Sequence, residues 1–157
     1  MRSSLPKKWG LRRFETVTEI SRTPEEVFPF FAAPENLERI TPPELKFEIL
    51  TPLPIKMGQG TLIDYRLRLE GVPMRWRTEI SEWNEPRSFT DRQLRGPYHT
   101  WIHRHIFEPT EYGTLMRDQV DYRLPFWPLG EWALPFVRRK VARIFAHRRE
   151  VILEILK

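Results

Sequence analysis

Cysteine is absent from this 157-residue chain, which excludes a disulfide framework and any thiolate metal site. No uninterrupted apolar run reaches membrane-spanning length, and the opening stretch "MRSSLPKKWGLRRF" lacks the apolar core of a secretory signal. A soluble, cytoplasmic protein is the expectation that follows. Repeats, low-complexity segments and flexible linkers are missing too. The length suits one domain with a core large enough to stand without staples. We therefore expect a single domain over residues 1–157, with residues 1–12 as an N-terminal extension.

What the chain does have is charge: 26 basic residues against 21 acidic ones, a net charge of +5, together with fifteen prolines that stiffen its loops. The positive excess favours contact with phosphates or anionic lipid headgroups. Acidic residues are interspersed among the basic ones, so much of the excess reads as solvated surface. No helix-turn-helix, zinc-finger or aromatic RNA-binding signature accompanies the arginines, and nucleic acid is not an expected partner.

Thr23-Pro24-Glu25-Glu26 combines a Thr cap, Pro at the first helical position and a Glu placed to return a capping-box bond. A helix over Pro24–Ala32 follows. "PENLERI" from Pro34 reads as a second short helix, stopped by Thr41-Pro42-Pro43. From Leu45 the apolar period changes to two. Ile63, Tyr65, Leu67 and Leu69 share one face of a strand, against Asp64, Arg66, Arg68 and Glu70. After a connection at Gly71-Val72-Pro73, Met74, Trp76, Thr78 and Ile80 alternate with Arg75, Arg77, Glu79 and Ser81. "RSFTDRQL", "PYHTWIHRHIF" and "TLMRDQVDYRL" read as three more strands of an antiparallel meander, separated by Arg95-Gly96 and the turn-rich "EPTEYG". The last stretch, Pro135–Leu156, carries Val137, Val141, Ile144, Phe145, Ile152 and Ile155 at helical spacing, with Arg138, Arg139, Lys140, Arg143, Arg148 and Arg149 on its other faces.

An antiparallel sheet with one apolar face must cover that face, and the long final helix is the element available. The expected fold is α+β: a curved antiparallel sheet of about seven strands wrapped around the C-terminal helix, with two short helices after strand 1. This element order resembles the helix-grip fold of the START and polyketide cyclase/dehydrase (SRPBCC) superfamily. The phrases "FFAAPENLERITPPELKFEIL", "GTLIDYRLRLEGVPMRWRTEI", "FTDRQLRGPYHTWIHRHIF" and "TLMRDQVDYRLPF" look like a bacterial ligand-binding branch of it. The resemblance runs from Phe14 almost to the end. It implies a cavity between sheet and helix that takes a hydrophobic or amphipathic small molecule.

Parity places Asp118 on the apolar face of its strand, with Met116, Val120, Tyr122 and Leu124. A bare buried carboxylate is costly, so Asp118 needs a partner. The preceding strand aligns Trp101, His103, His105 and Phe107 on one face, which Arg104 on the other face and the resemblance mark as the inward one. A short hairpin then sets Asp118 opposite His105 or His103. Asp91 and Gln93 fall on the side of Phe89 and join the candidates. Tyr65, Trp76, Trp101 and Tyr122 supply broad apolar surface with polar tips, suited to rings or acyl chains with a few oxygens.

These candidates, Tyr65, Trp76, Asp91, Gln93, Trp101, His103, His105, Asp118 and Tyr122, support more than one role. The His–Asp pair satisfies itself within a core, orients the polar end of a ligand, or serves as acid and base in a cyclisation or dehydration. His103-x-His105 with Asp118 also has the residue types of a two-histidine, one-carboxylate metal site. The motif is short and shows no further ligand, so neither metal nor cofactor is expected. "PFWPLGEW", Pro125–Trp132, is a portal lip, a membrane-touching edge or a buried connection. The basic final helix offers weak adhesion to anionic membranes as an alternative function.

Overall fold

The computed structural model describes residues 9–157. Its first strand, β1 (Arg12–Ile20), begins at the end of the expected extension, of which residues 1–8 lie outside the described residues. Helices α1 (Pro24–Ala32) and α2 (Pro34–Ile40) follow. The Glu26 carboxylate accepts the Thr23 backbone N–H at 2.9 Å, the returning half of a capping box. The prolines at 42 and 43 remove backbone donors and end α2, and the chain passes through a 3₁₀ turn (Pro43–Leu45) into the short β2 (Glu48–Ile49).

An antiparallel meander comes next: β3 (Leu62–Leu69), β4 (Val72–Asn84), β5 (Ser88–Arg95), β6 (Thr100–Thr110) and β7 (Gly113–Arg123). The seven strands lie in the order β1-β7-β6-β5-β4-β3-β2. The β3–β4 reversal is tighter than Gly71-Val72-Pro73 suggests. Glu70 and Gly71, at φ 50° and 78°, make a two-residue turn, and Val72 and Pro73 are already paired strand. "EPTEYG" is also mostly strand, because Thr110 pairs with Gly113 across Glu111 and Tyr112. Conversely, β6 starts at Thr100 and not at Pro97. Pro97 has no N–H for a ladder, and the Gln93 side chain closes the loop instead, donating to the Tyr98 carbonyl at 2.7 Å and accepting the Tyr98 N–H at 3.2 Å.

Period-two burial holds along the meander: Ile63, Tyr65, Leu67, Trp76, Thr78 and Ile80 are buried, whereas Arg66, Arg68, Arg75 and Arg77 are exposed. Register shifts at Arg77/Thr78 and Ile80/Glu82 bend β4. The buried face is covered by α3 (Leu134–Ile155), which turns Val141, Phe145 and Ile152 inward.

Beneath one end of α3, Phe28 stands edge-on to Trp83, Phe89 and Phe107, with ring centroids 5.1, 5.7 and 5.4 Å away. It is wholly buried, so truncation leaves a void among aromatic neighbours that cannot collapse. Phe28→Ala is expected to cost about 3–5 kcal/mol in urea unfolding, against less than about 0.5 kcal/mol for Leu94→Ala on the exposed face of β5.

Candidate functional site

The β6–β7 register sets His105 directly opposite Asp118 and His103 opposite Val120. The shorter contact is nevertheless diagonal: His103 Nε2 donates to Asp118 Oδ1 at 2.7 Å, while His105 Nδ1 lies 3.2 Å from the same oxygen. From β5, Asp91 Oδ2 accepts the His105 Nε2 proton at 2.9 Å and sits 3.7 Å from His103 Nδ1. Two carboxylates and two imidazoles thus form one cluster across three neighbouring strands. Apolar surface encloses it, with Phe89 stacked on His105 at 4.2 Å between ring centroids and Phe145 edge-on to His103 at 5.3 Å.

Burial is the largest influence on each member, and the neighbours decide the outcome. For Asp118, burial pushes the pKa up, but the His103 hydrogen bond, the close approach of His105 and the charge of the two rings overcome it and hold the carboxyl below its ordinary value. Asp91 is likewise held down against burial by the His105 hydrogen bond and the imidazole charges. Burial and repulsion from His105 lower His103. His105 is raised, because Asp118 and Asp91 together outweigh the burial that opposes its charge. The two histidines are thus shifted in opposite directions by one shared set of carboxylates.

A cavity of about 170 Å³ lies between the sheet and α3. Tyr65, Trp76, Asp91, Trp101, His103 and His105 all line it. Asp118 does not: it stands behind the histidine rings, in a separate crevice beside Thr16 and Arg149. Gln93 is spent on the Tyr98 loop, and Tyr122 packs into the core with Val120, Leu124, Val141 and Phe145. Neither belongs to the lining.

Arg148, expected away from the apolar stripe of the last helix, lines the cavity. Val141, Phe145, Arg148 and Ile152 follow the four- and three-residue spacing of a helical core stripe, a signal overshadowed by the run of arginines around it. Its guanidinium lies over Phe145, 5.3 Å from the ring centroid. Burial lowers its pKa while Asp118, Asp91 and Tyr65 oppose that fall, so it brings a guanidinium to the two carboxylates. His99 is exposed, its Nδ1 3.0 Å from the Thr100 hydroxyl. "PFWPLGEW" is not a buried connection: Phe126 and Trp132 are 83% and 86% exposed, because the 3₁₀ turn Leu129–Ala133 carries the segment over the surface.

Residues 12–150 match the family described as polyketide cyclase/dehydrase and lipid transport, and the chain belongs to it. No curated protein matches it in sequence. Among solved structures it is similar to the Zhui aromatase/cyclase from Streptomyces sp. R1128, at TM-score 0.75 and 17% identity over 93% of each chain. A Thermus thermophilus protein aligns at TM-score 0.68 and 20% identity, covering 94% of this chain and 99% of that one. Major latex-like protein 151 from Panax ginseng aligns at TM-score 0.66 and 14% identity, covering 94% and 98%. At these identities the likeness is one of fold.

Asp118 can be tested through stability. Its lowered folded-state pKa means that ionisation stabilises the fold above the unfolded carboxylate value of about 3.9, and this contribution is lost as pH falls through the folded value. His105 has the opposite sign: its raised pKa stabilises below about 6.5 and is lost as pH rises through the folded value. Removing one partner of a buried ion pair is severe, so Asp118→Ala is expected to cost about 3–5 kcal/mol near neutral pH. Urea unfolding across pH should show stability falling below about pH 4 in the wild type and a flatter acid limb in Asp118→Ala. Equally steep acid limbs would contradict this account of the cluster.

Proposed function

We propose that the chain binds a hydrophobic or amphipathic small molecule, such as a lipid, polyketide-like compound or isoprenoid, between the sheet and α3. The observation that carries this reading is a cavity with apolar walls whose polar groups converge at one end, at Asp91, His103, His105 and Arg148. Among the described residues, the buried Trp76 indole N–H, also on the cavity wall, has no hydrogen-bond partner. Such orphaned donors are rare, and an oxygen on the ligand would satisfy this one. The volume of about 170 Å³ suits one ring or a few methylene groups. A longer ligand must project past the rim, which Lys140–Glu70 and Arg143–Glu44 ion pairs cross from α3. A cytoplasmic location belongs to the same reading.

Native mass spectrometry of gently purified protein, followed by solvent extraction, is expected to reveal one amphipathic molecule per chain. Ile63→Phe, which narrows the cavity, is expected to lower occupancy several-fold while leaving the fold intact. Absence of any co-purified compound, together with no saturable tryptophan-fluorescence response to fatty acids, sterols or aromatic polyketides, would count against the proposal.

Contact with anionic membranes is a second reading, favoured by a separate observation. Trp9, Phe126, Trp127, Leu129, Trp132 and Phe136 are all exposed around the β7–α3 connection. Gly10, next to Trp9, lies against Trp127, where an added Cβ would stand 2.7 Å from the indole ring. Amphipathic aromatic rings suit the headgroup region of a bilayer. One turn on, Arg138 and Arg139 make no ion pair among the described residues, unlike Lys140 and Arg143. Phosphatidylserine-containing vesicles are expected to sediment the protein at low salt, with binding lost in Trp132→Ala/Phe126→Ala and reduced in Arg138→Glu/Arg139→Glu. Failure to sediment at low salt would rule out this contact.

A further inference from the structure

Three polar groups on the cavity wall have the composition and spacing of a metal centre. One donor atom from each of Asp91, His103 and His105 lies within 4.8 Å of the other two. Asp91 Oδ2 is 2.9 Å from His105 Nε2 and 3.7 Å from His103 Nδ1. Oxygen and nitrogen donors bound at about 2.0–2.2 Å to one ion stand about 2.8–3.1 Å apart at a right angle and about 3.3–3.6 Å apart at the tetrahedral angle. The two separations lie close to the two ends of that span. We propose that Asp91, His103 and His105 form a binding site for one divalent transition-metal ion, with the remaining coordination positions open to the cavity.

The arrangement behind these donors supports the assignment. Pairing His103-x-His105 with Asp118 picks the right histidines and the wrong carboxylate, because Asp118 lies on the far side of both rings. Its Oδ1 is 2.7 Å from His103 Nε2 and 3.2 Å from His105 Nδ1, the two nitrogens that point away from Asp91. A ligating histidine usually donates its second N–H to a carboxylate, which fixes the tautomer and aims the ring. Here one carboxylate serves both rings, so Asp118 is a positioning residue and Asp91 supplies the oxygen ligand. His105 Nδ1 is buried near Asp118 but makes no hydrogen bond among the described residues. An ion on Nε2 would replace the bond to Asp91 and let the ring turn its Nδ1–H onto Asp118.

Two imidazoles and one carboxylate select zinc, iron, cobalt or nickel over magnesium and calcium, whose sites are built from oxygen. Arg148, on the same cavity wall, then favours an anionic or carbonyl oxygen in the open positions. Metal binding itself does not require that the cavity hold an organic ligand.

The test is titration of untagged, chelator-treated full-length protein with Co²⁺ alone, read by visible absorption and calorimetry. One equivalent with a d–d band is expected, abolished in Asp91→Asn and His105→Gln and unchanged in His99→Gln/His147→Gln. Asp118→Asn should retain the band with roughly 10–100-fold weaker affinity, the mark of a residue that aims the ligands. Nitrogen-15 spectra of wild-type histidines, recorded with Zn²⁺, should show two of the four rings responding, a readout that depends on no variant folding. No stoichiometric heat or band in the wild type overturns the proposal, as does a band that survives in well-folded Asp91→Asn and His105→Gln. Either failure leaves the small-molecule reading standing, since no organic ligand enters the experiment.

Discussion

One buried carboxylate organises this molecule. Asp118 occupies a position where the strand pattern calls for an apolar side chain, and a desolvated anion there is tolerable only with donors close by. His103 and His105 supply them from the next strand. The hydrogen bond from His105 and the two imidazoles then favour an ionised Asp91, and the two carboxylates together make a half-buried arginine tolerable on α3. Each polar residue is the condition for the next. The cluster therefore stands or falls as a unit, and it gives the cavity one polar end.

Much of the fold was legible in the chain because its signals are local. Thr23-Pro24-Glu25-Glu26 carries its own start signal, the Pro-Pro pair stops α2, and alternation along Ile63–Leu69 and Met74–Ile80 separates buried from exposed faces. Parity was also enough to bring His103, His105 and Asp118 to one side of the sheet. Turn boundaries were less legible. Whether Val72 or Pro109 still pairs depends on the partner strand, which local sequence does not display.

The site was read less completely for a related reason. Asp91 follows Phe89 by parity, but its contact with His105 depends on the β5–β6 register and on a bulged neighbour. Gln93 shares that parity and is diverted to a loop that needed an acceptor and a donor. Arg148 was obscured because composition favours a solvated helix face, whereas its position in the Val141–Phe145–Ile152 stripe directs it inward. The aromatic connection before α3 went the opposite way, since hydrophobicity alone does not tell a buried linker from an exposed one.

The order of the strands bears on how the site comes into being during folding. Asp91, His103, His105 and Asp118 stand on three consecutive strands joined by short reversals, so local hairpin closure can bring them together early. The β1–β7 seam is different, since Arg13 and Asp121 meet across 108 residues. Closing so large a loop carries a greater entropic cost than any hairpin of the meander. The charged groups can thus gather while water still solvates them, and desolvation falls to the late steps in which β1 pairs and α3 docks. The rate-limiting barrier would then contain the drying of preassembled ion pairs, and acid should alter the folding rate as well as the final stability.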